Sequence, residues 1–228
     1  MNRKFSEIYS SSINNPEEFW KKISDDMFWF KKPTKILNQS NPPFYKWYED
    51  GVTNTCYNAL DIHIDQGRSN RIALIYDSPV TGNKNIFTYK ELRDKVSKFA
   101  GALQNQGISK GDRVAIYMPM IPEAVIAMLA CGRIGAVHSV VFGGFASNEL
   151  ASRIDDSKAK VLITASCGFE PGRTVEYKPL VDEALKLASH KIDKLILFQR
   201  QGHEAVLKAP KEISWEESLS NAKNVDCV

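Results

Sequence analysis

The chain has 228 residues, of which 43% are hydrophobic and 25% charged, and its formal net charge is +3. This composition is typical of a soluble globular protein, and the length allows one large domain or two small ones. Acidic and basic residues are interleaved in stretches such as 91–95, so the sequence lacks the clustered basic stripe of a nucleic-acid-binding protein. The longest apolar run, near residues 124–129, is too short to span a bilayer. We therefore expect neither nucleic acid nor a membrane as a partner.

The four cysteines, Cys56, Cys131, Cys167 and Cys227, show none of the short spacings of a zinc site, and no histidine pair supplements them. We therefore expect no metal site. No secretory signal follows the basic residues at the start of the chain, and cytoplasmic proteins keep their thiols reduced. The sequence thus predicts a cytoplasmic protein with reduced, buried cysteines. Cys167 has no activating histidine or lysine beside it, which makes it a poor candidate nucleophile.

The first 51 residues are rich in aromatic side chains and lack the sustained alternation of strands. Asn15 and Pro16 predict the start of a helix, with Asn15 as the N-cap and Pro16 at the first helical position. Large apolar residues then recur at helical spacing, which predicts a stripe that packs against the body of the protein. This stripe consists of Phe19, Trp20, Ile23, Met27 and Phe30.

The next segment predicts a helix over 60–67 and a strand over 70–76 that forms a hairpin with a second strand. Thr88 and Glu91 have the spacing of a capping box, which predicts the start of a long helix. Gly107 predicts where that helix ends.

From residue 113 onward, apolar strands alternate with helices, which is the pattern of βαβ units and a parallel sheet. The continuous apolar residues 195–198 indicate a strand that is buried on both faces. We therefore expect an α/β fold, a parallel sheet with helices on both faces, preceded by the helical, aromatic-rich leader. The predicted elements are strand 113–117, helix 122–133, strand 136–141, helix 148–157, strand 160–164, helix 179–189 and strand 194–198.

Two glycine-bearing loops follow two of these strands. The first contains Phe142-Gly143-Gly144, and the second, beyond strand 160–164, ends in Glu170-Pro171-Gly172-Arg173. Ligands of open α/β sheets bind beyond the carboxyl ends of the strands, and glycines let a backbone approach a phosphate closely. A tight turn needs the same glycines, so the residues alone leave both interpretations open. We expect the two strands to be neighbours, which would bring both loops to one edge of the sheet.

Residues 137–154 read VHSVVFGGFASNELASRI, and residues 162–173 read LITASCGFEPGR. Together they resemble the short-chain acyl-CoA synthetases of the acetyl-CoA synthetase type, within the adenylate-forming superfamily. The second stretch is more similar to the propionyl-CoA synthetases than to the acetate enzymes. Further segments that resemble this family are Ser6–Tyr9, Asn15–Trp20, Trp47–Tyr48, Thr88–Leu92, Gly111–Val114 and Met118–Ala124.

The resemblance implies an enzyme that couples propionate or acetate to CoA through an acyl-adenylate, using ATP and Mg²⁺. The family's phosphate loop and its lysine-bearing carboxy-terminal domain are not in this sequence. We therefore expect an amino-terminal fragment, whose partner is the rest of its own enzyme chain and which holds neither the ATP and Mg²⁺ sites nor a catalytic residue. Residues 1–80 would be the family's leader region, and residues 81–228 the first part of its AMP-binding domain.

The same resemblance implies a CoA site. In the acetate enzymes, the four-residue CoA loop begins and ends with arginine, whose guanidinium binds phosphate bidentately. Here Arg173 matches the last position, but Glu170 stands at the first, where it could pair with Arg173 or cap a neighbouring amide. The implied CoA-binding residues are Phe142, Gly143, Gly144, Glu170, Pro171, Gly172 and Arg173.

Two other functions remain open. The chain could be a non-catalytic, truncated module that binds CoA or a partner protein. A reading frame that continues past Val228 into a Ser/Thr/Gly-rich loop would argue against this function. The chain could also be an unrelated nucleotide-dependent α/β enzyme such as a reductase, but no dinucleotide fingerprint supports that class.

Overall fold

A computed structural model of the chain describes residues 3–228. The leader begins with two helices, α1 (Arg3–Asn14) and α2 (Pro16–Ser24). Pro16 is the first residue of α2 and Asn15 precedes it, as predicted, although the Asn15 side chain makes no capping hydrogen bond. A short antiparallel pair of strands follows, β1 (Leu37–Asn38) and β2 (Lys46–Trp47).

The apolar stripe of the leader does not pack into a core, so that prediction was wrong. Helix α2 ends at Ser24, and Met27 and Phe30 therefore lie beyond the helix whose spacing they continue. Trp20 and Ile23 do lie on α2, but 39% and 43% of their surfaces are exposed. Apolar spacing predicts a face, whereas burial of that face requires neighbouring elements. Here the contacts are partial, such as Trp20 with Trp47 at 6.1 Å and Phe30 with Tyr57 at 5.5 Å between ring centroids.

A π-helical turn (Tyr57–Asp61) continues into the short helix α3 (Ile62–Asp65). The predicted hairpin is present as β3 (Ile72–Ser78) and β4 (Asn83–Thr88), which pair antiparallel. The proposed domain boundary at residue 80 falls in the turn of this hairpin, and the division itself stays a prediction.

Helix α4 (Tyr89–Asn105) starts with the predicted capping box. The Thr88 hydroxyl accepts from the Glu91 amide at 3.2 Å, and the Glu91 carboxylate accepts from the Thr88 amide at 2.8 Å. Two amides that have no partner inside the helix are thereby satisfied.

The rest of the chain forms a parallel sheet of five strands with the order β11-β10-β7-β5-β6, beside a two-stranded hairpin. Its elements are β5 (Arg113–Met118), α5 (Pro122–Arg133), β6 (Val137–Phe142), α6 (Ser147–Ser157), β7 (Val161–Ala165), β8 (Cys167–Glu170), β9 (Arg173–Glu176), α7 (Tyr177–Leu187), β10 (Lys194–Phe198), β11 (Glu212–Ser214) and α8 (Trp215–Ser220).

Both faces of the sheet are covered by helices, as the α/β prediction requires. Along β5, Val114 and Ile116 point into a core shared with α4 and α5. Ala115 and Tyr117, which alternate with them, point into a second core shared with α6 and α7. This alternation follows from the two-residue period of a strand.

The two strands that lead into the glycine-bearing loops are not neighbours, so the expected adjacency was wrong. Strand β5 lies between β6 and β7 and pairs with both. The chain passes over β5 through α6, and sequence order alone does not decide which strand a crossover skips. Because all five strands are parallel, the carboxyl ends of β6 and β7 still lie at the same edge of the sheet.

Candidate functional site

The first candidate loop follows β6 and is hydrogen-bonded to a side chain of β5. The Tyr117 hydroxyl donates a hydrogen bond to the Phe145 carbonyl oxygen at 2.7 Å. Burial, with a smaller contribution from Tyr177, raises the pKa of Tyr117 to about 12, so the hydroxyl keeps its proton and remains a donor. The loop that contains Gly143 is thus anchored to β5, an interior strand of the sheet.

The second candidate loop is the tip of a β-hairpin rather than a loop between a strand and a helix. Strands β8 and β9 pair antiparallel, and Glu170 lies opposite Arg173 in their register. Pro171 and Gly172 form the turn between them, and Gly172 has a φ of +76°. Proline followed by a residue of positive φ is the pattern of a type II turn. The turn alone therefore accounts for a glycine at this position, and no bound ligand is needed to explain it.

Glu170 and Arg173 form an ion pair at this tip. The Glu170 Oε2 atom lies 2.7 Å from the Arg173 Nε atom and 2.6 Å from its Nη2 atom. The Arg173 side chain is 70% exposed and that of Glu170 is 42% exposed, so the pair contributes only about 0–1 kcal/mol to stability. Of the two roles open to Glu170, the structure places it in the pair with Arg173.

Tyr177 joins the two candidate loops. It is the first residue of α7, and its ring lies 5.0 Å from that of Tyr117. A Cβ atom added to Gly143 would clash with the Tyr177 hydroxyl, and one added to Gly168 would lie 2.8 Å from it. Both glycines therefore let backbone approach one tyrosine side chain, which brings the β6 loop and the base of the hairpin together.

Arg200 lies beneath the hairpin and adds a second cation. Its guanidinium stacks on the Phe169 ring at 4.7 Å, and only 8% of the residue is exposed. Its backbone amide donates to the Ser166 hydroxyl at 2.8 Å, which ties β10 to the start of the hairpin. Within residues 3–228, no carboxylate forms an ion pair with this guanidinium.

Sequence reasoning missed both Tyr177 and Arg200. Tyr177 carries no local signal, because its role depends on contacts with Gly143 and Gly168 that form only when the elements pack. Arg200 could have been found from its position just after β10, since the carboxyl ends of parallel strands meet at one edge.

Cys167 lies in β8 and is fully buried. Burial raises the pKa of its thiol, so it stays protonated at neutral pH. This agrees with the prediction that Cys167 is a poor nucleophile.

Apolar surface completes the candidate site. Phe142 is 68% exposed and Phe145 is 37% exposed, and their rings meet edge to face at 5.7 Å. The site thus combines exposed aromatic rings, close backbone approach at Gly143 and a cation at Arg173. Such a surface can bind a ligand that has both an anionic and an apolar part, which is a binding function rather than a catalytic one.

The sequence matches two family models. The model of the AMP-binding enzymes matches residues 62–226, and that of the acetyl-coenzyme A synthetase N-terminus matches residues 5–59. Among curated proteins, the human mitochondrial acyl-CoA synthetase short-chain family member 3 is 53% identical over 221 residues, which are 96% of this chain and 32% of that protein. The acetyl-coenzyme A synthetase of Streptomyces coelicolor is 44% identical over 214 residues, 94% of this chain and 33% of that enzyme.

A solved structure has the same fold. The acetoacetyl-CoA synthetase from Streptomyces lividans superposes with a TM-score of 0.84 at 24% identity, over 96% of this chain and 33% of that one. The chain therefore spans about a third of the length of the proteins it matches. Within residues 3–228, no helix has both the length and the apolar character needed to cross a membrane.

Proposed function

We propose that this chain, which belongs to the AMP-binding enzyme family, is part of an ATP-dependent short-chain acyl-CoA synthetase and supplies part of its CoA site. The observation that carries this proposal is the meeting of the Gly143 loop and the base of the β8–β9 hairpin, whose tip carries Arg173, around Tyr177 at the carboxyl edge of the sheet. The printed names of the relatives, acyl-CoA and acetyl-CoA synthetases, support the same reaction class.

The reaction of the whole protein would proceed through an acyl-adenylate. A carboxylate is a poor electrophile, and adenylation makes one of its oxygens part of a good leaving group for the CoA thiolate. Mg²⁺ would offset the negative charge of the ATP phosphates. ATP, Mg²⁺ and the acyl group would be held by residues outside this chain.

Propionate is the acid we favour. The segment Ser166–Arg173 resembles the propionyl-CoA synthetases more than the acetate enzymes. The higher identity to short-chain family member 3 than to the acetyl-coenzyme A synthetases also fits an enzyme that is not a typical acetate ligase. Rates measured with propionate and acetate distinguish the two.

We also propose a cytoplasmic location. All four cysteines are free in the structure, which fits a reducing compartment. The name of the human relative includes the word mitochondrial, so imaging of a tagged protein against both compartments tests the proposal.

Arg173 would bind a phosphate group of CoA. To do so it must exchange Glu170 for the phosphate, and this exchange costs little because the ion pair is exposed. Phe142 and Phe145 would offer an apolar surface to the pantetheine chain, and the backbone at Gly143 would approach it closely. In this arrangement Glu170 weakens CoA binding, because it competes with the phosphate for the same guanidinium.

In the complete ligase, Arg173→Ala should raise KM for CoA by roughly 10- to 150-fold, the equivalent of a lost charge-assisted hydrogen bond of about 1.5–3 kcal/mol. KM for ATP and for propionate should stay nearly unchanged. Glu170→Arg should lower KM for CoA modestly, because it removes the competing carboxylate and adds a cation. Steady-state kinetics with each substrate varied in turn measures all three constants.

Lys186→Ala is the matched control. Lys186 also forms an exposed ion pair at i,i+3 spacing, with Glu183 at 3.3 Å, but lies on α7 away from the hairpin tip. Its loss should leave KM for CoA unchanged. An Arg173→Ala enzyme with the same KM for CoA as the Lys186→Ala enzyme would remove the hairpin from the CoA site.

A further inference from the structure

A buried cluster lies on the opposite side of the fold from the candidate CoA site, around the Arg133 side chain at the end of α5. Arg133 is only 1% exposed. Its Nη1 and Nη2 atoms donate to the two carboxylate oxygens of Asp61 at 2.7 and 2.9 Å, and its Nε atom donates to the Val225 carbonyl oxygen at 2.6 Å. The cluster therefore joins the π-helical turn, α5 and residues near 225.

Two thiols share one nitrogen of this guanidinium. The Sγ atom of Cys227 lies 3.1 Å from Arg133 Nη1, and that of Cys56 lies 3.6 Å from the same atom. The two sulfurs are within 4.8 Å of each other. Cys56 is fully buried, whereas Cys227 is partly exposed, so solvent reaches the pair from the side of Cys227.

The two thiols differ in proton affinity. A hydrogen bond with Cys227 lowers the pKa of Cys56 against the opposing effect of burial, and Arg133 lowers it further. The same hydrogen bond, together with burial, raises the pKa of Cys227. Of the two sulfurs, Cys56 therefore loses its proton more readily, and Cys227 holds its proton more tightly.

Cys56, Asp61 and Cys227 are close enough for their ligand atoms to surround a metal ion. The guanidinium of Arg133 already supplies the positive charge at this position, and it engages both oxygens of Asp61. A divalent cation would have to displace a buried arginine, so the cluster suits thiol chemistry better than metal binding.

We propose that Cys56 and Cys227 form a reversible disulfide when the protein meets hydrogen peroxide. The Cys56 thiolate attacks one peroxide oxygen, the O–O bond breaks, and the second oxygen takes the proton of the Cys227 thiol and leaves as water. The Cys227 thiolate formed in this way attacks the sulfenic sulfur of Cys56, and the S–O bond breaks. The oxygen leaves as hydroxide and becomes a second water by taking up the proton that Cys56 released when it ionised. Two thiols and one peroxide thus give one disulfide and two waters.

The disulfide would add a covalent link where the structure already has a non-covalent one. In the reduced protein, the Ser97 hydroxyl donates to the Val225 carbonyl oxygen at 2.7 Å, and the Asn54 side-chain amide donates to the Val228 carbonyl oxygen at 2.8 Å. These bonds hold residues 225–228 near Cys56 and so keep the two sulfurs together. A cross-link between positions so distant in the chain restricts the unfolded state.

The test is a peptide map of the wild-type protein, treated with hydrogen peroxide, alkylated and digested without reductant. A peptide pair linked through Cys56 and Cys227 should appear and should vanish after dithiothreitol. Cys131 and Cys167 should stay reduced and should still react with the alkylating agent once the protein is unfolded. Both are buried, and neither belongs to the Arg133 cluster. Oxidation should also raise the midpoint of thermal unfolding by several degrees, reversibly.

Two variants complete the test. Cys227→Ser should abolish the linked peptide and the shift in the midpoint, whereas the control Cys131→Ser should leave both unchanged. Unmodified Cys227 after peroxide treatment, or its oxidation to a sulfonic acid without any link to Cys56, would overturn the proposal. So would one equivalent of zinc that co-purifies with the wild-type protein and is lost in Cys227→Ser.

Discussion

At the scale of single residues, the candidate CoA site depends on how closely two backbone segments approach Tyr177. The Tyr177 hydroxyl occupies the position that a side chain at Gly143 would need. Packing of this kind tolerates little added volume, because protein interiors are filled to the density of crystals. The identity of the residue at 143 is therefore set by a tyrosine 34 positions further along the chain.

We predict that Gly143→Ala destabilises the protein by about 1–3 kcal/mol, the usual cost of overpacking, and also raises KM for CoA. The double variant Gly143→Ala/Tyr177→Phe should recover part of both losses, because it removes the oxygen that the new methyl group meets. Thermal unfolding and CoA kinetics measure the two effects.

Gly132→Ala is a suitable control for this prediction. It also adds one methyl group to a glycine, but the nearest atom would be 3.9 Å away, an ordinary contact, and the residue lies inside α5. It should be neutral or stabilising. No recovery in the double variant would show that the hydroxyl of Tyr177 does not determine the position of the loop.

At the scale of elements, Asp112 connects the start of β5 with the start of β7. Its carboxylate lies 2.7 Å from the Lys160 ammonium and accepts from the amide and hydroxyl of Ser109 at 2.9 and 2.8 Å. The hydrogen bond from Lys160 and those from Ser109 lower the pKa of Asp112 from 3.8 to about 2. Because the folded state holds the ionised form more tightly, this group stabilises the protein only while it is ionised.

We predict that the contribution of Asp112 to stability is fully present above about pH 4 and is lost as the pH falls towards 2. The difference in unfolding free energy between wild type and Asp112→Asn should therefore shrink over this interval. Urea unfolding at a series of pH values measures it, with Glu183→Gln as the control for an exposed ion pair. A difference that stays constant from pH 5 to pH 2 would contradict the assignment.

The elements were largely predictable, whereas their arrangement was not. Strands β5, β7 and β10 follow from their apolar residues, helix α4 from a capping box, and helix α5 from a proline at its first position. All of these are local signals. The β8–β9 hairpin was missed because its strands have only four residues each. The position of β5 between β6 and β7 was missed because a crossover that skips a strand has the same sequence pattern as one that does not.

At the scale of the whole molecule, the β3–β4 hairpin and the edge strand β6 both expose apolar side chains. On the β3–β4 hairpin, Ile72, Ile75 and Ile86 are each more than half exposed. On the edge strand β6, Val140 and Phe142 are 55% and 68% exposed, and β6 pairs only with β5 within the described chain. An unpaired edge strand with apolar side chains is a surface that another chain can join.

We predict that the isolated chain self-associates, so that its average mass by light scattering rises with concentration. Val140→Lys should reduce this association, because a charged side chain on an edge strand opposes pairing. The control is Val206→Lys, which adds the same charge at a residue that is 84% exposed and outside every strand. A wild-type chain that is monomeric at all concentrations would show that these surfaces do not drive association.

The sequence by itself determined the α/β class, most of the helices and strands and, through its motifs, the resemblance to the acyl-CoA synthetases. These features are encoded locally, in residue periodicity, turn chemistry and short motifs. Only the tertiary structure decided the strand order, the contact of Gly143 and Gly168 with Tyr177, and the meeting of Cys56 with Cys227 around Arg133. Each of these depends on contacts between residues far apart in the chain, and such contacts arise only when the elements pack.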